Sequence, residues 1–125
     1  MSTLPENVKT ALENREGPVV LATVDKAGVP NIIYVTCVGF YGDEHLVIAD
    51  NHFNKTRLNV RDGGIGSILF IDKTGKTYQI KGTVKYHTQG AVFDSMQKWN
   101  SGTHSGHAAL VLHIEEVFSG SAQIL

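Results

Sequence analysis

The sequence predicts a mainly β protein, an antiparallel barrel carrying a few short helices. Three observations lead there: six segments rich in Val, Ile and Thr, short Gly-containing turns between most of them, and only three short helical patterns. Parallel strands need a crossover of about a dozen residues or more, and turns such as Asp25-Lys26-Ala27-Gly28 and Asp72-Lys73-Thr74-Gly75 are far too short for one. A doubly wound parallel sheet is therefore excluded, and a closed or partly split antiparallel barrel remains.

The elements follow in order. Pro5 to Arg15 reads as a helix, with Val8 and Leu12 one turn apart and Gly17 as a stop. Pro18 to Asp25 is a Val- and Thr-rich strand. After the turn ending at Gly28, a β-branched run from Asn31 to Phe40 reads as one long strand. Tyr41-Gly42-Asp43-Glu44 turns the chain into a third strand, His45 to Ala49, and a helix spans Phe53 to Arg61 before Asp62-Gly63-Gly64. Ile65 to Ile71 and Lys76 to Tyr86 form a hairpin, the latter alternating through Tyr78, Ile80, Gly82 and Val84. Gln89 to Trp99 is helical, with Val92, Phe93 and Met96 clustered, and Ala108 to Val117 is the sixth strand. The helix between the last two strands means the barrel need not be a plain up-and-down one.

With 125 residues, the chain is expected to be a single domain, residues 1–125, large enough for its own core. Its net charge of −1 offers no broad basic field for nucleic acid or an acidic membrane. The single cysteine, Cys37, cannot form an internal disulfide. The polar stretch Met1 to Lys9 has no apolar signal core, and no run approaches a membrane span, so a cytoplasmic location is expected.

The most informative segment runs from Val47 to Asn59. An apolar strand breaks at Asp50-Asn51-His52, and the next helix opens on Lys55-Thr56. A lysine in the first turn opposes the helix macrodipole, which becomes reasonable if an anion sits there. Backbone N–H groups, the Lys55 ammonium and the Thr56 hydroxyl would together hold a phosphate. Arg57 points about a third of a turn away from Thr56 and is the weaker candidate.

Other features carry less. His104 and His107 flank Ser105-Gly106, a loop with no carboxylate or cysteine at ligand spacing, so no metal is expected. Asn54-Lys55-Thr56 matches a glycosylation acceptor only by accident, and Gly64-Ile65-Gly66 leads into a strand rather than a helix. Trp99, with Phe93 and Met96 at helical spacing, reads as packing rather than as a group stacked on a ligand. Glu115-Glu116 should point to opposite faces of a strand, which removes them as a paired-carboxylate site. The apolar run Ala108 to Val111 and the tail Ile124-Leu125 read as parts of a subunit interface.

Taken with the strand Val19 to Asp25, the glycine turn before Pro30, the strand Ile32 to Phe40, the block Asn54 to Asn59 and the alternation Ile80 to Val84, the order of elements resembles a known group. It is the FMN-binding split-barrel family related to pyridoxamine 5′-phosphate oxidase, and most of all its small bacterial FMN-binding members. The resemblance implies a six-stranded antiparallel Greek-key split β-barrel that forms a homodimer with FMN at the interface. It implies that Tyr34, Val35, Thr36 and Cys37 lie along the flavin and that Asn51, His52, Lys55 and Thr56 hold its phosphate. Ser105 in the late loop and Leu125 at the tail would complete the site. Because the chain lacks the extended C-terminal substrate segment of the true oxidases, oxidation of pyridoxamine phosphate is not implied. The expected function is an FMN-dependent oxidoreductase moving electrons or hydride to an unknown small-molecule or protein partner, with no protein side chain required as acid or base. The alternatives are a non-catalytic FMN electron carrier or sensor, or the same barrel holding haem or the deazaflavin F420.

Overall fold

The structure, a computed structural model, describes residues 4–100 and 102–125. Its elements are α1 (Glu6–Glu13), β1 (Val19–Val24), β2 (Pro30–Val35), β3 (Val38–Phe40), β4 (His45–Asp50) and α2 (Lys55–Val60). There follow β5 (Gly64–Ile71), β6 (Thr77–His87), α3 (Ala91–Trp99), β7 (Ala108–Ser119) and β8 (Ala122–Gln123). All strand pairs are antiparallel, in the order β2-β1-β5-β6-β7-β4-β3, with the short β8 added to β7. The predicted mainly β antiparallel class is correct, but the strand count among the described residues is eight rather than six.

Two differences account for the count. The run Asn31 to Phe40 is not one strand: it breaks at Thr36-Cys37, and its two halves lie at opposite ends of the strand order. Only those two residues separate β2 from β3, so the ends of the sheet lie within about 10 Å of chain. The sheet therefore curls round on itself, closed by covalent chain where the ladder is open. Arg15 Nη2 donates to the Thr36 carbonyl at 2.9 Å and the Ala49 N–H to the Cys37 carbonyl at 3.0 Å, which fixes the joint. The second difference is the tail, whose Ala122–Gln123 pairs with β7 as β8.

The barrel interior is filled by the inward side chains of every long strand, among them Leu21, Ile48, Ile68, Ile80 and Leu112. Alternation sets this: Tyr78, Ile80, Gly82 and Val84 of β6 are buried while Thr83 and Lys85 are exposed. Leu4, Val8 and Leu12 of the α1 region join that core, as do Phe53 and Val60 around α2. Pro5 precedes α1 and Gly17, at φ 72°, lies beyond it, as the sequence reading placed them.

A second cluster lies outside the barrel. Val47 and Ala49 of β4 and Ala109 and Val111 of β7 are covered by Met96, Val92 and Phe93 of α3. This makes β4 and β7 buried on both faces and explains their unbroken apolar runs. It also corrects the interface reading of Ala108 to Val111, which are consumed by packing within the chain. Trp99 packs across β3, its ring against the open side of Gly39, in keeping with a packing role.

A bulge in β7 overturns the expectation for Glu115 and Glu116. Glu116 pairs with Lys81 and Ile114 with Gly82, so Glu115 is the extra residue. Both glutamates are exposed and line one surface groove of about 510 Å3. No helix among the described residues is long and apolar enough to cross a membrane.

Candidate functional site

The joint between the two sheet edges forms the floor of a pocket of about 300 Å3. Tyr34, Val35, Thr36 and Cys37 supply one wall, and Asn51 and His52 face them from the end of β4. Six of the ten expected site residues are thus brought together. The sequence reading missed Ile33, Ala49, Phe53 and His104, which line the same space. Lone positions on strands and loops carry no local signal for this, although His104 adjoins the expected Ser105.

Since β2 ends the strand order, one of its edges has no strand partner among the described residues. Main-chain N–H and C=O groups on such an edge remain available to a ligand. Tyr34 is 75% exposed and Thr36 is exposed, whereas Val35 turns into the core. Cys37 is half-buried, with its Sγ 3.8 Å from Thr36 Oγ1.

The segment from Asp50 to Asn59 is held by a set of polar contacts that the sequence did not reveal. The Asp50 side chain is fully buried. It accepts the Phe53 N–H at 2.9 Å, Arg57 Nε at 2.8 Å and Nη2 at 3.1 Å, and the Tyr86 hydroxyl. Burial pushes the Asp50 carboxyl up, but the hydrogen bonds from Arg57, Tyr86 and Phe53 together outweigh it and hold the group below the usual carboxylate range. Burial and the Asp50 hydrogen bond push the Tyr86 hydroxyl up to about 12. The bond to Asp50 raises Arg57 further, so it stays charged.

The other side of α2 is fastened to β2 and β1. Asn31 Nδ2 donates to Thr56 Oγ1 at 3.0 Å, and Asn59 Nδ2 donates to Thr23 Oγ1 at 3.0 Å. Thr56, Arg57 and Asn59 being so engaged, Lys55 is left exposed. It lines an open groove of about 970 Å3 with Asn31 and Arg61. Strand β2 runs from this groove, at Asn31, to the pocket, at Thr36.

Asn51 is committed inside the protein. Its Oδ1 accepts Asn100 Nδ2 and the Gly106 N–H, each at 2.9 Å, which anchors the late loop. Ser105 is exposed on that loop. Leu125 is not brought to the pocket of its own chain: its N–H and carbonyl both bond to Val117, and its side chain packs on the main core. Among the described residues no group of three His, Cys, Asp or Glu converges on a common point.

The profile of the pyridoxamine 5′-phosphate oxidase family matches residues 4–119, nearly the whole chain. The chain belongs to that family. The relationship extends to an uncharacterised protein of Methanocaldococcus jannaschii, 28% identical over 93% of this chain and 80% of that protein. The solved structure of HupZ from Group A Streptococcus superposes with a TM-score of 0.83 at 27% identity, over 96% of both chains. An FMN-binding protein from Syntrophomonas wolfei shares the fold, with a TM-score of 0.74 at 20% identity over 93% of this chain and 85% of its own. The open edge of β2 beside a small pocket leaves main-chain groups available to a ligand there.

Proposed function

We propose that this protein is a homodimeric FMN-binding oxidoreductase whose flavin lies along β2. The observation that carries the reading is the continuity of the site. An unpaired strand edge leads from a groove containing Lys55 to a pocket floored by Thr36 and Cys37, about 16 Å along the strand. In this reading the phosphate sits by Lys55 and Thr56, and Asn51 and His52, which line the pocket, stand at the ring end. Tyr34 to Cys37 offer main-chain groups to the ring. Bound FMN would supply the electron- and hydride-accepting centre, and the protein would orient it and limit water around it.

The dimer is supported by an apolar outer face. Tyr34, Val20 and Leu69 form one cross-strand row and Ile32, Ala22 and Ser67 the next. Ile32 is 66% exposed and Ile65 63%. Directly opposed residues share a face, so this is a contiguous apolar patch of the kind that marks an association surface. The roles proposed for Ser105 and Leu125 require the second copy. Sedimentation at micromolar concentration should give twice the chain mass, and a flavin-loaded monomer would end the shared-site reading.

Absorbance of the purified protein is the first test of the ligand, because FMN, haem and F420 have distinct spectra. The phosphate assignment is tested by Lys55→Ala. Loss of a charge-assisted contact costs roughly 1.5–3 kcal/mol, one to two decades in FMN affinity. Riboflavin, which lacks the phosphate, should bind parent and variant alike; equal losses for both ligands would assign Lys55 to folding. Saturable oxidation of a reduced nicotinamide would mark an enzyme, and stoichiometric reduction alone a carrier.

A further inference from the structure

On the same outer face of the curled sheet, where Thr83 stands directly opposite Ile65, and beside α3 lies a groove of about 420 Å3 that the flavin reading does not use. Its polar lining consists of three histidines (His45, His87 and His113) together with Lys85, Tyr41 and Thr83; Val92 and Val111 supply an apolar patch. No Asp or Glu lines it, and Glu44, which precedes β4, and Asp94 of α3 are outside the lining. The groove is therefore rich in hydrogen-bond donors and sites for positive charge, without a carboxylate to neutralise them.

His45 and His113 are direct cross-strand partners on β4 and β7, with Thr83 of β6 opposite His113. His45 Nε2 and His113 Nδ1 are 3.2 Å apart, and the rings are inclined at 50°. That contact takes one proton between the two rings. The neutral pair has one further proton, so only one of the two remaining nitrogens, His45 Nδ1 and His113 Nε2, is an N–H. Adding a single proton makes both of them donors and gives the pair one positive charge. A second added proton would set N–H against N–H across the contact. The pair is thus built to take up one proton, which adds one charged N–H donor to the groove lining, the kind of group a carboxylate oxygen accepts from.

We propose that this groove binds a small carboxylate with an apolar body, and that binding is coupled to uptake of one proton by the His45–His113 pair. Lys85 adds a second positive charge, Tyr41 and Thr83 add hydroxyl donors, and Val92 and Val111 receive the apolar part. The volume lies within the ordinary range for small-ligand sites.

Benzoate titrated into the flavin-loaded protein is the probe, with benzyl alcohol and inorganic phosphate as controls. Calorimetry in two buffers of different ionisation heat should show one proton taken up per benzoate where the pair is otherwise neutral. Lys85→Ala, at an exposed position, and His113→Gln should each weaken benzoate binding about tenfold, with far-ultraviolet circular dichroism unchanged. The His45 and His113 imidazole resonances should shift on binding. Binding of benzyl alcohol or phosphate as tightly as benzoate would overturn the proposed class, and pH-independent binding would overturn the proton coupling. Absence of imidazole shifts, or displacement of the flavin, would locate the anion elsewhere and remove the site. Because the readout is on these histidines, the result does not depend on whether FMN is the natural flavin.

Discussion

Gly82→Ala should leave the chain unable to hold its barrel. A Cβ at this position would lie 1.8 Å from the His113 carbonyl oxygen and 2.8 Å from its carbon, both main-chain atoms of β7. No rotamer change can relieve such an overlap, so β6 and β7 must separate where the Glu115 bulge brings them together. A cost above about 4 kcal/mol is expected, a large share of the roughly 5–15 kcal/mol that holds a domain. The melting temperature should fall by more than about 10 °C, or no folded protein should be recovered. Gly66→Ala is the control. There the nearest atom is a side-chain methyl, Val84 Cγ1 at 3.0 Å, which is able to yield. Similar melting of the two variants would show that the close approach at Gly82 is not what the geometry implies.

Asp50→Ala is expected to be the next most damaging change and to reveal itself through pH. Removing one member of a buried ion pair costs roughly 3–5 kcal/mol. Here the other member, Arg57, is 40% exposed and regains water, so about 2–3 kcal/mol is the better expectation. The folded-state carboxyl is depressed, so its contribution is complete above the unfolded carboxylate value near 4 and is lost as pH falls towards the folded one. The gap between parent and variant melting temperatures should stay constant from about pH 5 to 7 and narrow below about pH 4. A gap that widened on acidification would contradict the assignment. Because Asp50 also receives the Phe53 N–H, the variant should loosen the Asn51-His52 turn and weaken flavin binding as well.

Local chemistry made most elements legible. Alternation in β6, the Gly17 stop after α1 and the hairpin turn at Asp72 to Gly75 are each decided by residues within a few positions. The errors came from tertiary context. Nothing in the β-branched run from Asn31 to Phe40 marks the break at Thr36-Cys37, since the break is imposed by the barrel having to close there. The β7 bulge reflects a fit to Gly82 on another strand, which the pair Glu115-Glu116 does not announce. At the site, the family resemblance implied that Tyr34 to Cys37 and Asn51 with His52 serve one ligand, and these residues line one pocket. The Asp50, Arg57 and Tyr86 cluster did not, because its members are 7 and 36 positions apart from Asp50. Arg57 was set aside for pointing away from Thr56, and that direction is what carries it to Asp50.

The strand order also governs how the chain can be made. β1 pairs with β5 and β4 with β7, so each half of the barrel lacks a neighbour until much later sequence is present. Closing loops of this length before any ladder forms is slow, and folding dominated by such pairings takes milliseconds to seconds. On a ribosome, β4 would wait unpaired on its β7 side until residues 108–119 had emerged. Its apolar strand His45–Asp50, buried on both faces in the finished molecule, would be exposed during that interval. The last long strand to be synthesised is therefore the one that protects the nascent chain from aggregation.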